Sequence, residues 1–432
     1  MRRTWVLILC VALSIVVAAP AAIPVRAAAP TDLVFWGGWT GPDGDVMRGL
    51  VDQFNKEHPE FKVTLTTLQW TPLFDKFLTS VRAGQVPDLL AMHPQDIAQF
   101  STLGLLEPVG EMVQHAGFKG SDFMDVAWKG TFYQGTQYAI PIDMHMHGVY
   151  VNLDLWAQAG LDSNRLPTTG TEFVAATKRL TVDAAGRHPD DAGFDPKAIK
   201  QYGLAMPNNH HGFYMWYALI SQQGDPFLTA DGSRAIFSDA KSNAAWQWLQ
   251  DLVFKDHVVP VGETNPYQDF VTKRTAMLID GPWQIAGLEK VPGLRWTTTT
   301  FPRVFNAPAA WGSGHLFTIP KQSSRARQEA AMTLAAWLVR HSQQWALSGN
   351  VPALLSVRSS AFFRGLKGRR GFVAEQPYEV ILPDIKNSAQ VFSAAAPSAI
   401  VVSAQAVLIK GDQVSRVTQD LRARLNAMLA TP

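Results

Sequence analysis

The chain predicts an α/β fold in two domains, and three observations carry that expectation. Between residues 31 and 92, short β-prone runs alternate with longer runs of helical periodicity. Such a βαβαβ order favours a mostly parallel sheet. With 432 residues, the chain is too long for one ordinary core. Its 47% apolar and 17% charged content is typical of a well-packed soluble protein.

The first 29 residues stand apart. Arg2 and Arg3 precede the apolar run Trp5–Ala19, and small residues follow at Ala27–Ala29. This layout predicts a secretory signal peptide cleaved near Ala27–Ala29. The apolar run is short for a membrane span and is closed by Pro20 and Pro24. Cys10, the single cysteine, lies inside it without the small residues that precede a lipidated cysteine. A processed chain would hold no cysteine, which excludes thiol catalysis, disulfides and thiolate metal sites. Loss of Arg2, Arg3 and Arg26 takes the formal charge from +2 to −1. A nucleic-acid partner is not expected, because it would need a concentrated basic face.

The elements follow in order. Asp32–Trp36 reads as a strand, Asp45–Glu57 as an amphipathic helix, Phe61–Leu65 as a strand and Trp70–Ala83 as a helix. Asp88–Met92 is a short apolar strand, His93–Asp96 a polar loop and Ile97–Leu103 a helix stopped by Gly104. Ile142–Asn152 reads as one long strand. Glu172–Leu180 is a helix, Thr181–Pro196 a surface loop and Tyr202–Met206 a strand. Pro207–Gly212 is a loop before an aromatic helix, Phe213–Gln223. A helix at Ser242–Val253 carries Trp246 and Trp248 as core. Thr275–Ile279 and Leu316–Ile319 are strands, with a glycine loop, Trp311–His315, before the second. Arg325–Val339 and an amphipathic tail, Val402–Leu429, are helical.

Ligands of open α/β sheets bind beyond the carboxyl ends of strands. That rule nominates His93, Gln95 and Asp96, which follow the strand at Asp88. Trp39 sits on the first strand-to-helix loop, where a large ring is awkward as plain surface and suits stacking on the apolar face of a sugar. Trp36, at the strand end, is assigned to the core.

The stretch Arg82–Pro108 also carries a family resemblance. Its Gly84-x-x-Pro87-Asp88, apolar strand, and helix ending Gly104-Leu105-Leu106-x-Pro108 resemble the extracellular solute-binding proteins of ATP-binding-cassette importers, in the branch of maltose- and glycerol-3-phosphate-binding proteins. Further matches are Asn55-Lys56-Glu57-His58-Pro59, Tyr138 to Pro141, and Ala276-Met277 leading to Gly281-Pro282-Trp283. Departures are Tyr150, one place early, and Gly170, where the family has tryptophan. The resemblance covers residues 31 to about 430 and implies two α/β lobes joined by hinge segments, with the ligand in the cleft. It places the N-terminal lobe at residues 30–141 plus part of 280–350, and the C-terminal lobe at 142–279 plus part of 350–432. It also implies that Trp283 stacks on bound sugar, that Asp143 and His145 face the ligand, and that Asn209, His211 and Phe213, with Trp311, Gly312 and Ser313, line the cleft.

Function classes sort accordingly. No nucleophile elbow, zinc signature, P-loop or dinucleotide fingerprint occurs, so an enzyme is not expected. A glycosidase would need two carboxylates about 5–10 Å apart; Asp88, Asp96, Asp143 and Asp280 are the candidates. His145-x-His147 has the spacing of metal ligands on a strand, with His93 and His210-His211 as possible additions, but no carboxylate stands in a zinc pattern, and neither a metal nor a cofactor is expected. The resemblance implies instead a monomeric binding protein outside the cytoplasmic membrane, periplasmic or attached to the cell surface. It would take a di- or oligosaccharide and pass it to a membrane permease. A glycerol phosphodiester is the second reading.

Overall fold

A computed structural model describes residues 29–322, 324–394 and 397–431; the expected signal segment lies outside them but for its last residue. Two five-stranded sheets, each packed by helices, are linked by a four-stranded sheet.

The first sheet runs in the order Phe61–Thr67, Thr31–Gly37, Leu89–Met92, Leu316–Thr318, Ala139–Pro141. Its first three strands are parallel, joined by helices Pro42–Glu57 and Trp70–Arg82. Leu316–Thr318 is antiparallel to both neighbours. The second sheet runs Trp296–Thr300, Gly148–Asn152, Thr275–Asp280, Ile199–Ala205, Val182–Asp183. Only its Ile199–Ala205 and Thr275–Asp280 strands pair in parallel. The linking sheet orders Val351–Pro352, Asp143–Met146, Ala310–Ser313, Glu379–Ile381.

Each five-stranded sheet has its own apolar core. Leu33, Phe35, Leu50, Phe54 and Phe317 pack under the first; Trp156, Phe173, Trp216 and Trp246 pack under the second. The apolar stripes of the flanking helices explain this. In Gly170–Leu180, Phe173, Ala176 and Leu180 are the buried apolar residues, and Thr169 with Glu172 closes a reciprocal capping box.

Several boundaries differ from those expected. His93–Asp96 is no loop: Pro94–Thr102 is a helix with His93 at its N-cap and Pro94 at its first position, a place where proline costs no hydrogen bond. Helix His210–Gln222 likewise starts three residues early, because the Asn209 side chain accepts from the His211 N–H. The run Ile142–Asn152 breaks into Asp143–Met146 and Gly148–Asn152, so alternation fails at His147. The glycine loop is partly a strand, Ala310–Ser313. Thr181–Pro196 includes the short strand Val182–Asp183 and winds around the buried Asp183, whose carboxylate accepts from Ala185, Arg187 and Asp195 N–H groups. The tail forms two helices, Ala399–Leu408 and Val414–Leu429, parted at Gly411 with φ +68°.

Candidate ligand-binding site

The linking sheet brings six of the eleven histidines together. His145 lies on the crossing strand and His315 just before Leu316–Thr318. His93 caps the helix that follows the Leu89–Met92 strand. Their rings form one trio, with centroids 4.4 Å apart for His145–His315, 5.4 Å for His93–His315 and 5.9 Å for His93–His145. His147, His210 and His211 form a second trio, in which His147 Nε2 and His211 Nδ1 share a hydrogen bond of 2.9 Å.

Two tryptophans stand between the trios. Trp283, half-buried in the short 3-10 helix Pro282–Gln284 after Thr275–Asp280, has its ring 5.6 Å from His145 and 5.4 Å from His211. Trp311 lies 6.0 Å from His145, 4.8 Å from His147 and 5.7 Å from His211, and stacks on Tyr214 at 4.3 Å and 15°. The Trp311 indole N–H is buried without a partner. Ser313 donates to Gln95 Oε1 at 3.2 Å and joins the linking sheet to the first helix turn.

Burial sets the charge state. It holds His145 and His147 down at about 3 and His210 at about 4. His211 and His315 also lie below the ordinary imidazole value for that reason. These five rings are neutral at pH 7. Burial opposes the charge of Asp143, yet contacts with His315 and His145 keep its carboxyl below the usual range. Asp143 accepts from the His315 N–H and the Trp345 indole, and its two oxygens meet the Nδ1 atoms of His315 at 2.8 Å and His145 at 3.4 Å.

The residues nominated from sequence fare unevenly. His93, Gln95, Asp143, His145, His211, Trp283, Trp311 and Ser313 converge here. Trp39 does not offer a stacking face: it is 1% exposed, wedged edge-on against Phe35, Trp70, Phe317 and Trp345. Phe213 is fully buried against Trp216 and Phe227, one position round the helix from the ring that reaches Trp311. Asp96 turns back on His93, accepting from its N–H at 3.1 Å. Asn209 is exposed and serves as a cap. Gly312 makes room, since a Cβ there would stand 1.9 Å from Glu379 Oε1. Of the carboxylates weighed for hydrolysis, Asp88 is held by Arg327 through two hydrogen bonds of 2.6 and 2.8 Å.

Sequence reasoning passed over His315 and Glu379. Both Glu379 oxygens are buried and unpaired, and burial pushes its pKa well up. The one signal for His315 was its place beside Gly314, where a Cβ would stand 2.5 Å from the Asp143 carbonyl oxygen.

A family model described as bacterial extracellular solute-binding protein matches residues 49–365. The chain belongs to that family. The sn-glycerol-3-phosphate-binding periplasmic protein UgpB of Brucella abortus is 24% identical over 165 residues, covering 37% of this chain and 38% of that protein. The chain thus aligns with little more than a third of the length of such curated relatives. Three solved structures superpose with a TM-score of 0.78: Lmo0181 of Listeria monocytogenes in complex with cycloalternan, the MalE domain of Bdellovibrio bacteriovorus bound to maltotriose, and UgpB of Mycobacterium tuberculosis with glycerophosphocholine. Identities are 19%, 19% and 18%; coverage is 92–93% of this chain and 98–100% of those. These likenesses establish the periplasmic-binding-protein-like fold, two α/β lobes joined by hinge segments. Among the described residues, no helix is long and apolar enough to cross a membrane.

Proposed function

We propose that this protein is the substrate-binding component of an ATP-binding-cassette importer, taking a di- or oligosaccharide outside the cytoplasmic membrane and delivering it to the permease. The observation that carries this reading is the pair of indoles, Trp283 and Trp311, set among neutral imidazoles between the two sheets. Aromatic faces cover the apolar face of a pyranose, and neutral imidazoles both donate to and accept from hydroxyls. The lobes of this reading are 30–141 with part of 280–350, and 142–279 with part of 350–432. Closure about the linking strands buries the sugar, and the ligand favours the closed state by binding it more tightly. The protein acts as a monomer in the periplasm or at the cell surface and carries out no chemistry on its ligand.

A glycerol phosphodiester is the second reading, suggested by the names of the curated relatives. Against it, none of the site groups described above is an arginine or a lysine, whereas Glu379 and Asp143 are carboxylates; phosphate recognition favours guanidinium or a helix N-terminus. Calorimetric titration of the purified protein with mono-, di- and oligosaccharides and with glycerol phosphodiesters tests both. Saturable binding of one saccharide class supports the first reading. Binding confined to phosphodiesters replaces the substrate, and binding of neither class rejects both.

A further inference from the structure

We propose that His93, His145 and His315 form a three-histidine site for a divalent transition cation of the zinc class. One ligand atom from each side chain lies within 4.8 Å of the other two. Tetrahedral Zn–N bonds of about 2.0–2.1 Å set ligand nitrogens roughly 3.4 Å apart. Side-chain shifts of about 1 Å, well within rotamer freedom, therefore complete the site.

The surroundings separate this trio from ordinary buried histidines. Each Nδ1 faces a carboxylate: Asp143 Oδ2 at 2.8 Å for His315, Asp143 Oδ1 at 3.4 Å for His145, and Asp96 Oδ2 at 3.2 Å for His93. A carboxylate on Nδ1 keeps the proton there and leaves the Nε2 lone pair free, the support found behind metal-bound histidines. Among the described residues, these three Nε2 atoms make no hydrogen bond within the protein, whereas in the other trio His147 Nε2 is taken up by His211. Trp70 fixes the ring planes, stacked on His315 at 5.3 Å and 18° and standing 4.2 Å from His93. Burial keeps His145 and His315 neutral at pH 7, the form that ligates. Three imidazoles with an open fourth position suit zinc best, and copper or nickel next.

This site goes beyond the carbohydrate reading and stands whether or not a sugar binds. The test is calorimetric titration of the tag-free, chelator-treated protein with zinc chloride, and the visible absorption of its cobalt(II) form. One zinc per chain, a raised melting temperature and the strong absorption of four-coordinate cobalt are expected. His93→Gln, at the half-buried corner, should weaken zinc at least tenfold and abolish the thermal shift while its circular dichroism stays unchanged. His115→Gln, on the exposed surface, should leave zinc binding intact. Asp96→Asn should weaken zinc about tenfold through its positioning of His93. Absence of zinc binding by the folded protein, zinc binding that His93→Gln does not change, or a six-coordinate cobalt spectrum would each overturn the assignment.

Discussion

Trp283 and Asp143 stand at opposite extremes of exposure in the candidate site. Trp283 remains half-buried, and its loop glycine, Gly281, leaves space where a Cβ would fall 2.0 Å from the indole. Trp283→Ala should weaken saccharide binding by about 1–3 kcal/mol from lost aromatic burial, read by calorimetry, with the melting temperature little changed. Asp143 is completely buried and holds His315, His145 and Trp345 at once. Asp143→Asn leaves one of these donors facing an amide N–H, and should cost about 1–3 kcal/mol in urea unfolding. The resemblance nominates Trp283 through a compact passage, Gly-Pro-Trp after an apolar strand, and the ring lies beside His145 and His211. Trp39 was misread for a physical reason: the glycines beside it, taken as loop, are there to let rings fold over the backbone. A Cβ at Gly37 would meet Trp39 at 2.5 Å, and one at Gly38 would meet Trp70 at 2.0 Å. His315 left almost no trace, because its partner Asp143 is brought near only by the crossing of the chain.

At the scale of elements, strands and helices were readable from periodicity, while breaks and caps were not. His147 interrupts a stretch that reads as one long strand, since the chain there passes from one sheet to another. Helix starts were set late where His93 and Asn209 act as caps, because polar residues before an apolar run read equally well as loop. Asn209→Ala should cost about 1 kcal/mol of stability and also weaken ligand binding, since the freed first turn carries His210 and His211; thermal melts and titration check the two effects. The packing of helix Gly170–Leu180 on strand Ile199–Ala205 is closer still. A Cβ at Gly203 would stand 1.9 Å from the Thr177 carbonyl oxygen. Gly203→Ala should destabilise by about 1–3 kcal/mol through forced backbone shift, measured by denaturant unfolding.

Across the molecule, buried ionisable groups pull stability in opposite directions with pH. Burial raises Asp43 to about 7 and Asp280 to about 6, so the folded state holds these protons longer and loses stability as pH rises through those values. The depressed histidines act the other way. His147 titrates at 6.5 when unfolded and at about 3 when folded. The unfolded chain therefore holds more protons in that window, and the stability from a neutral His147 is complete above pH 6.5 and lost as pH falls. His145, His210 and His211 face it and share its direction. In His147→Gln this contribution is absent. The stability difference between wild type and His147→Gln should thus shrink by about 2 kcal/mol from pH 7 to pH 5, followed by urea unfolding with chelator present.

The strand order of the first sheet governs the sequence of assembly events. Leu316–Thr318 sits between Leu89–Met92 and Ala139–Pro141, so the early strand at Ala139 has no neighbour until residue 318 exists. A fragment ending near Pro141 would expose a bare strand edge, an invitation to aggregate. The first lobe is therefore not a unit that can mature alone as the chain emerges. Closing its sheet waits on a pairing distant in sequence, and such pairings fold slowly. The Ala139–Pro141 strand accordingly stays without its sheet neighbour until the chain has been made as far as residue 318.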